Sequence, residues 1–212
     1  MSTHLVVFAK APQAGVAKTR LMSALGAQGA ADLARRMLQH TLQQAMAAQV
    51  GPVELCMSPG PDDAAWAGVE IPATALRTSQ GDGDLGQRMA RAVERVTASG
   101  QSILLMGTDC PALSAARIAE AAQALAHHDA ALVPVADGGY VLVGLHAPRP
   151  AIFADMAWST PSVAAVTLQR MVMLGQRVWV GPTLHDIDEP TDLAHVPPHL
   201  LSSQMTLNKN GL

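Results

Sequence analysis

Two kinds of hydrophobic pattern alternate along the chain. Short, almost unbroken apolar runs at residues 5–9, 53–57, 103–106, 130–135, 141–145 and 177–180 have the length of strands covered on both faces. Between them, apolar residues recur every three or four positions and predict helices over residues 28–49, 84–98, 115–127 and 161–174. In the first helix Leu38, Leu42, Ala45 and Met46 mark the core stripe, with Arg35, Arg36 and Gln39 facing water; in the third, Ala119, Ala122 and Leu125 face inward. Punctuation agrees with these limits. Gly51 and Pro52 close the first helix, Asp62 or Asp63 caps a short turn through Trp66, Ser114 caps the third helix, and Ser159, Thr160 and Pro161 open the fourth, which stops at Gly175. A weak strand is expected at 74–77. Strands alternating with helices predict an α/β sheet, in which ligands gather at the carboxyl ends of the strands.

Chemistry-bearing residues fall at those ends. After the first strand, a loop carrying Pro12 and Gly15 holds Lys10, Lys18 and Arg20, three cations just before a helix that Thr19 is placed to cap. Cations beside the free N–H groups of a helix start make an anion site. This is not a P-loop, because the required glycine spacing is absent. Asp109 follows the central strand, where it can hold a metal or a ligand hydroxyl, or simply bond its own turn. After the fifth strand come Asp137, Gly138, Gly139 and Tyr140; the glycines allow close approach of backbone to a substrate, or a plain hairpin turn. Near the end, an extended Asp186-Ile187-Asp188 would put both carboxylates on one face. Hard cations such as Mg²⁺ take oxygen ligands and need few from protein, so Asp109 with Asp188 would suffice.

One motif is a decoy. Gly81, Gly83 and Gly86 match the dinucleotide fingerprint, and Asp109 lies where the ribose acid would be. The segment before them is a poor buried strand, however, and Asp82 and Asp84 would repel a pyrophosphate. A flexible ligand-covering loop, lined by Gln80, Gly86 and Arg88, is the better expectation.

Composition narrows the class. The 212 residues suit one domain, taken as 1–196 with a loosely ordered tail at 197–212. Net charge is −3, with no basic surplus for nucleic acid. Two distant cysteines fit a reducing compartment, and neither a signal peptide nor a membrane-spanning run is evident, so a soluble cytoplasmic protein is expected.

Together the segments 8–21, 84–89, 107–111, 137–145, 158–160 and 186–193 resemble the bacterial DUF2064 family, also described as radical-SAM/selenodomain-associated or arsenosugar-biosynthesis glycosyltransferases, and more distantly the phospholactate guanylyltransferases. The resemblance runs in order over about residues 5–194. It implies a GT-A fold, a mostly parallel Rossmann-like sheet with helices on both faces. It also implies a nucleotide or nucleotide-sugar ligand, a small-molecule acceptor, and Mg²⁺ or Mn²⁺. Carried over residue by residue, Asp109 takes the metal position, Asp188 the second carboxylate with Asp186 beside it, and Lys10, Gly15, Lys18, Arg20, Gln80 and Arg88 the nucleotide and phosphates. Asp137, Gly138, Gly139, Tyr140, Trp158 and Thr160 face the sugar or acceptor. The first loop departs from the glycine-rich nucleotidyltransferase pattern in having one glycine, Gly15, before Lys18-Thr19-Arg20.

The implied activity is metal-dependent glycosyl transfer from a nucleoside-diphosphate sugar, with Asp109, Asp188, Lys18 and Arg20 as its catalytic set. Nucleotidyl transfer from an NTP with release of pyrophosphate, and a nucleotide-binding module without turnover, are the alternatives. His185 and Asp137 are candidate general bases.

Overall fold

The computed structural model describes residues 3–201. Seven strands form one sheet: β1 (Thr3–Lys10), β2 (Val53–Ser58), β3 (Leu76–Ser79), β4 (Ser102–Met106), β5 (Ala130–Pro134), β6 (Tyr140–Leu145) and β7 (Val178–Val180), ordered β3-β2-β1-β4-β6-β5-β7. All neighbours are parallel except β6, which runs antiparallel to β4 and β5. Helices α1 (Met22–Ala47) and α3 (Ala115–Ala124) cover one face; α2 (Leu85–Thr97) and α4 (Val163–Met173) cover the other. The period-two rule explains why the strands read as solid apolar runs. Leu5, Val7 and Ala9 of β1 join the α1/α3 core, while Val6 and Phe8 join the α2 side; Leu104 and Met106 of β4 divide from Ile103 and Leu105 in the same way.

A third cluster positions the site. Leu21, Leu33 and Met37 pack against Ile187, Val196 and Leu200, clamping the last described segment onto the start of α1. Residues 197–201, expected to be loose, therefore include an ordered turn (Pro198–Leu200) with Leu200 buried; the rest of that tail lies outside the described residues. Among the described residues no helix is long and apolar enough to cross a membrane.

Several local expectations change. The first helix begins at Met22 rather than 28, and Gly26, at φ 70° and ψ 169°, breaks its regular geometry. Thr19 is not a cap: Lys18 occupies the cap position of a short turn (Thr19–Leu21), at φ 50° and without a side-chain cap. The buried stripe of α3 is Ile118, Ala121 and Leu125, one position out of phase with Ala119 and Ala122, because Ile118 is the large side chain that the core admits. The weak strand is displaced to Leu76–Ser79, where it pairs with β2. Thr160 donates to the Ala157 carbonyl rather than capping α4. The free N–H of Ala164 in α4 instead donates to the Gly138 carbonyl at 2.8 Å, a cap supplied by a distant turn that helix signals do not reveal.

The sheet also buries a charge. Glu54 of β2 is fully buried and receives hydrogen bonds from Thr78 and Arg95, with His4 Nε2 at 3.2 Å. Burial pushes its carboxyl upward, but the bonds from His4, Arg95 and Thr78 outweigh this and hold it down to about 2. A depressed folded value contributes stability above the unfolded value of 4.5 and loses it as pH falls towards about 2. Urea melts at stepped pH should therefore show wild type losing more stability than Glu54→Gln across that window, by a few kcal/mol on the order set by 1.36 kcal/mol per unit. Parallel pH profiles would refute this account.

Candidate active site

A cleft of about 550 Å³ opens at the carboxyl ends of β1 and β4. Its walls include Lys10, Lys18, Arg20, Asp109, Asp137, Gly139, Tyr140, Trp158, Thr160 and Asp188, so the basic loop, the central strand end, the glycine turn and the acidic segment all reach one space. Exposed apolar side chains of Val16 and Leu85 stand on its margin.

At its centre is Lys18. Its ammonium lies 2.5 Å from Asp109 Oδ1 and 2.6 Å from Asp188 Oδ1, and it donates to the Ile187 carbonyl at 2.7 Å. The two carboxylates, 79 positions apart, thus converge on one cation, the lysine of the first loop. Burial alone would lower the Lys18 pKa, but the charges of Asp109 and Asp188 outweigh it and raise it above 10.5. Ile187 makes the convergence possible. Its side chain is completely buried and its N–H donates to the Asp109 carbonyl at 2.8 Å, while its half-buried neighbours Asp186 and Asp188 bring carboxylate oxygens within 4.8 Å of each other. Sequence reasoning missed Ile187 as a positioning residue, though an apolar residue between two acids is the signal that could have found it.

A second set of acids adjoins the first. Carboxylate oxygens of Asp137, Asp186 and Asp188 lie within 4.8 Å of one another. Burial pushes the Asp186 carboxyl up to about 6, and the facing charges of Asp137, Asp188 and Asp192 add to the shift. This all-oxygen set suits a hard divalent cation. Oxygens on one Mg²⁺ stand at most about 4.2 Å apart, twice its bond length, so the three side chains would close slightly or share the ion with water. Asp137, read from sequence as a substrate contact, belongs to this acidic group, and its Oδ1 also accepts from Gly139 N–H at 2.7 Å.

Other sequence candidates are placed differently. Lys10 and Arg20 are exposed on the cleft wall, Arg20 lying 3.8 Å from Glu189. Gly15 forms the turn at φ 79° and is not among the cleft residues. Gln80 reaches the cleft, but its amide donates to the carbonyls of Ala9 and Cys56, which uses both of its N–H groups to tie strand ends together. Arg88 lies off the cleft and donates to the Gly83 carbonyl and towards Ser58. Arg91 holds the carbonyls of Gln80 and Asp82, so the glycine loop is pinned rather than free, and Asp84 and Gln87 form a capping box where a pyrophosphate would have to sit. Gly138 is pressed against Pro161, and Tyr140 lines the cleft with its hydroxyl buried on the side of Thr167. His185 is exposed and stacked on His195, with ring centroids 4.2 Å apart, and is not among the cleft residues. Asp137 is the general-base candidate that lies in the cleft.

A seven-stranded, mostly parallel sheet with a basic loop and paired acids at its carboxyl end defines a transferase of the nucleotide-diphospho-sugar transferase fold. The chain belongs to the family described as "Uncharacterized protein conserved in bacteria (DUF2064)", whose model matches residues 41–160. It is 28% identical to a candidate nucleotide-diphospho-sugar transferase from Desulfovibrio desulfuricans G20, over 99% of this chain and 94% of that one, with a TM-score of 0.82. At lower identity the fold also matches Rv0371c from Mycobacterium tuberculosis H37Rv in complex with manganese (18% identity, 96% and 100% coverage, TM-score 0.51). A third match is 4-diphosphocytidyl-2C-methyl-D-erythritol synthase from Anaerococcus prevotii DSM 20548 (10% identity, 91% and 93% coverage, TM-score 0.56). No curated protein matches the chain.

Proposed function

We propose that the protein transfers a glycosyl group from a nucleoside-diphosphate sugar to a small-molecule acceptor, with Mg²⁺ or Mn²⁺ held by Asp109 and Asp188 and flanked by Asp186. The observation that carries this reading is the approach of Asp109 and Asp188 to a single cation in a cleft that also holds the exposed cations Lys10 and Arg20. A bound divalent ion supplies charge neutralisation for a leaving diphosphate. The rest falls to the chain's own groups. Lys10 and Arg20, exposed on the cleft wall, attract the phosphates. Trp158, Val16 and Leu85 offer apolar surface for the planar or aliphatic parts of donor and acceptor. Asp137 stands where it can accept the acceptor's proton.

Nucleotidyl transfer is the second reading; Thr19-Arg20 matches the end of the nucleotidyltransferase loop, while the single glycine of that loop, Gly15, counts against it. Products separate the two: NDP from an NDP-sugar supports the first, pyrophosphate from an NTP the second.

A thermal-shift panel of NTPs and NDP-sugars, with and without Mg²⁺ or Mn²⁺, tests both. A ligand at 100 times its Kd adds about 2.7 kcal/mol, which raises Tm by about 5–11 °C for a chain of this size. The expected rise needs metal and shrinks in Asp109→Asn, which should otherwise melt as wild type does. Equal binding without metal would remove the metal from the mechanism, and an undiminished metal-dependent rise in Asp109→Asn would remove Asp109 from its ligands.

A further inference from the structure

Lys18 has no proton left for a phosphate. An ammonium carries three N–H donors, and its three acceptors here are Asp109 Oδ1, Asp188 Oδ1 and the Ile187 carbonyl, at 2.5, 2.6 and 2.7 Å. The side chain is 9% exposed, and its backbone sits at φ 50° and ψ 47°, a left-handed conformation costly for a residue with a Cβ. The fold therefore holds this lysine against the acids within the cleft rather than leaving its ammonium free for a phosphate. A divalent ion bonded to Asp188 Oδ1 at about 2.1 Å would lie within about 5 Å of the ammonium, and the two cations would compete for the same oxygens.

We infer that Lys18 and the divalent metal are mutually exclusive occupants of the Asp109–Asp188 pair, and that metal entry releases Lys18 to bind the donor's diphosphate. The inference rests on the metal-dependent reading above and deepens it. Lysine and metal act in sequence: the lysine keeps the acids together before the metal arrives, then becomes a phosphate ligand once displaced. Lys10 and Arg20, exposed and not held by Asp109 or Asp188, give the phosphates their first contact.

Two measurements test this. In the first, Mn²⁺ is titrated into wild type and Lys18→Met, following free Mn²⁺ by electron paramagnetic resonance. Without an anion the variant should bind Mn²⁺ at least tenfold more tightly, because its competitor is gone. With Mn²⁺ saturating, the variant should bind inorganic diphosphate at least tenfold more weakly. Equal or weaker Mn²⁺ binding by a folded Lys18→Met would overturn the inference. The second measurement uses wild type alone, so it survives a variant that fails to fold. Acetylation of Lys18, followed by peptide mass spectrometry, should rise at least fivefold when Mn²⁺ is added and fall again with diphosphate. Unchanged reactivity on metal binding would mean that Lys18 never leaves the acids. Wild type that binds no Mn²⁺ would overturn the underlying functional reading as well, whereas a wild type that binds Mn²⁺ with unreactive Lys18 would overturn the exchange alone.

Discussion

Asp188→Asn is expected to lower turnover by about three decades while leaving the fold intact. Asp188 is the carboxylate shared by both acid groups: it faces Lys18 with Asp109, and it lies among the oxygens of Asp137 and Asp186. Asparagine keeps the shape and one acceptor but loses the charge that a divalent ion requires. A metal supplies several kcal/mol to a transition state with developing phosphate charge, and each 1.36 kcal/mol is a factor of ten. Structural damage should be small, since the Asp188 side chain is 37% exposed and the buried anchor of the segment, Ile187, is unchanged. Mn²⁺ titration and steady-state rates with the donor found by thermal shift would be measured together. Wild-type metal affinity in this variant would remove Asp188 from the metal's ligands.

Gly138→Ala should instead damage the fold, by about 3 kcal/mol or more. Gly138 sits at φ 91°, where a side chain is strained, and an added Cβ would fall 2.0 Å from the Pro161 carbonyl oxygen. That oxygen belongs to backbone and cannot swing aside. Relief requires separating the turn from α4, which also breaks the Ala164 N–H bond to the Gly138 carbonyl. Strain of 1–3 kcal/mol and a lost buried hydrogen bond of about 1 kcal/mol add to give the estimate. Gly15→Ala is the control, because Gly15 shares the positive φ but an added Cβ meets nothing within 4 Å. Chemical denaturation of both variants should show Gly138→Ala losing clearly more. Similar losses would mean that backbone conformation alone, and not contact with Pro161, explains the glycine. Asp137 precedes this glycine, so a folded remnant of Gly138→Ala should also bind donor poorly.

The strands were legible because burial on both faces leaves an unbroken apolar run, and β1, β2, β4, β5 and β6 all appear within a residue or two of where such runs predict them. Helix ends were less legible. α4 takes its cap from Gly138, and the first turn is entered through a left-handed Lys18, and neither leaves a mark in the local sequence. The same division holds at the site. Residue chemistry pointed to Asp109, Asp188, Lys18 and Asp137, since acids and lysines at strand ends are rarely there for packing. It also pointed to Gln80, Arg88 and His185, whose types fit equally well but whose side chains are spent on backbone carbonyls or turned outward.

What the sequence by itself determined is the layered α/β architecture and the positions along the chain where charge can gather, because periodicity and residue type are local properties. Only the tertiary structure decided which of those charges meet. The buried Ile187 anchors the segment that brings two acids together, the left-handed Lys18 aims its ammonium between Asp109 and Asp188, and Gly138 lets a turn close on α4. Such meetings depend on distances between segments far apart in the chain, and no local pattern encodes a distance.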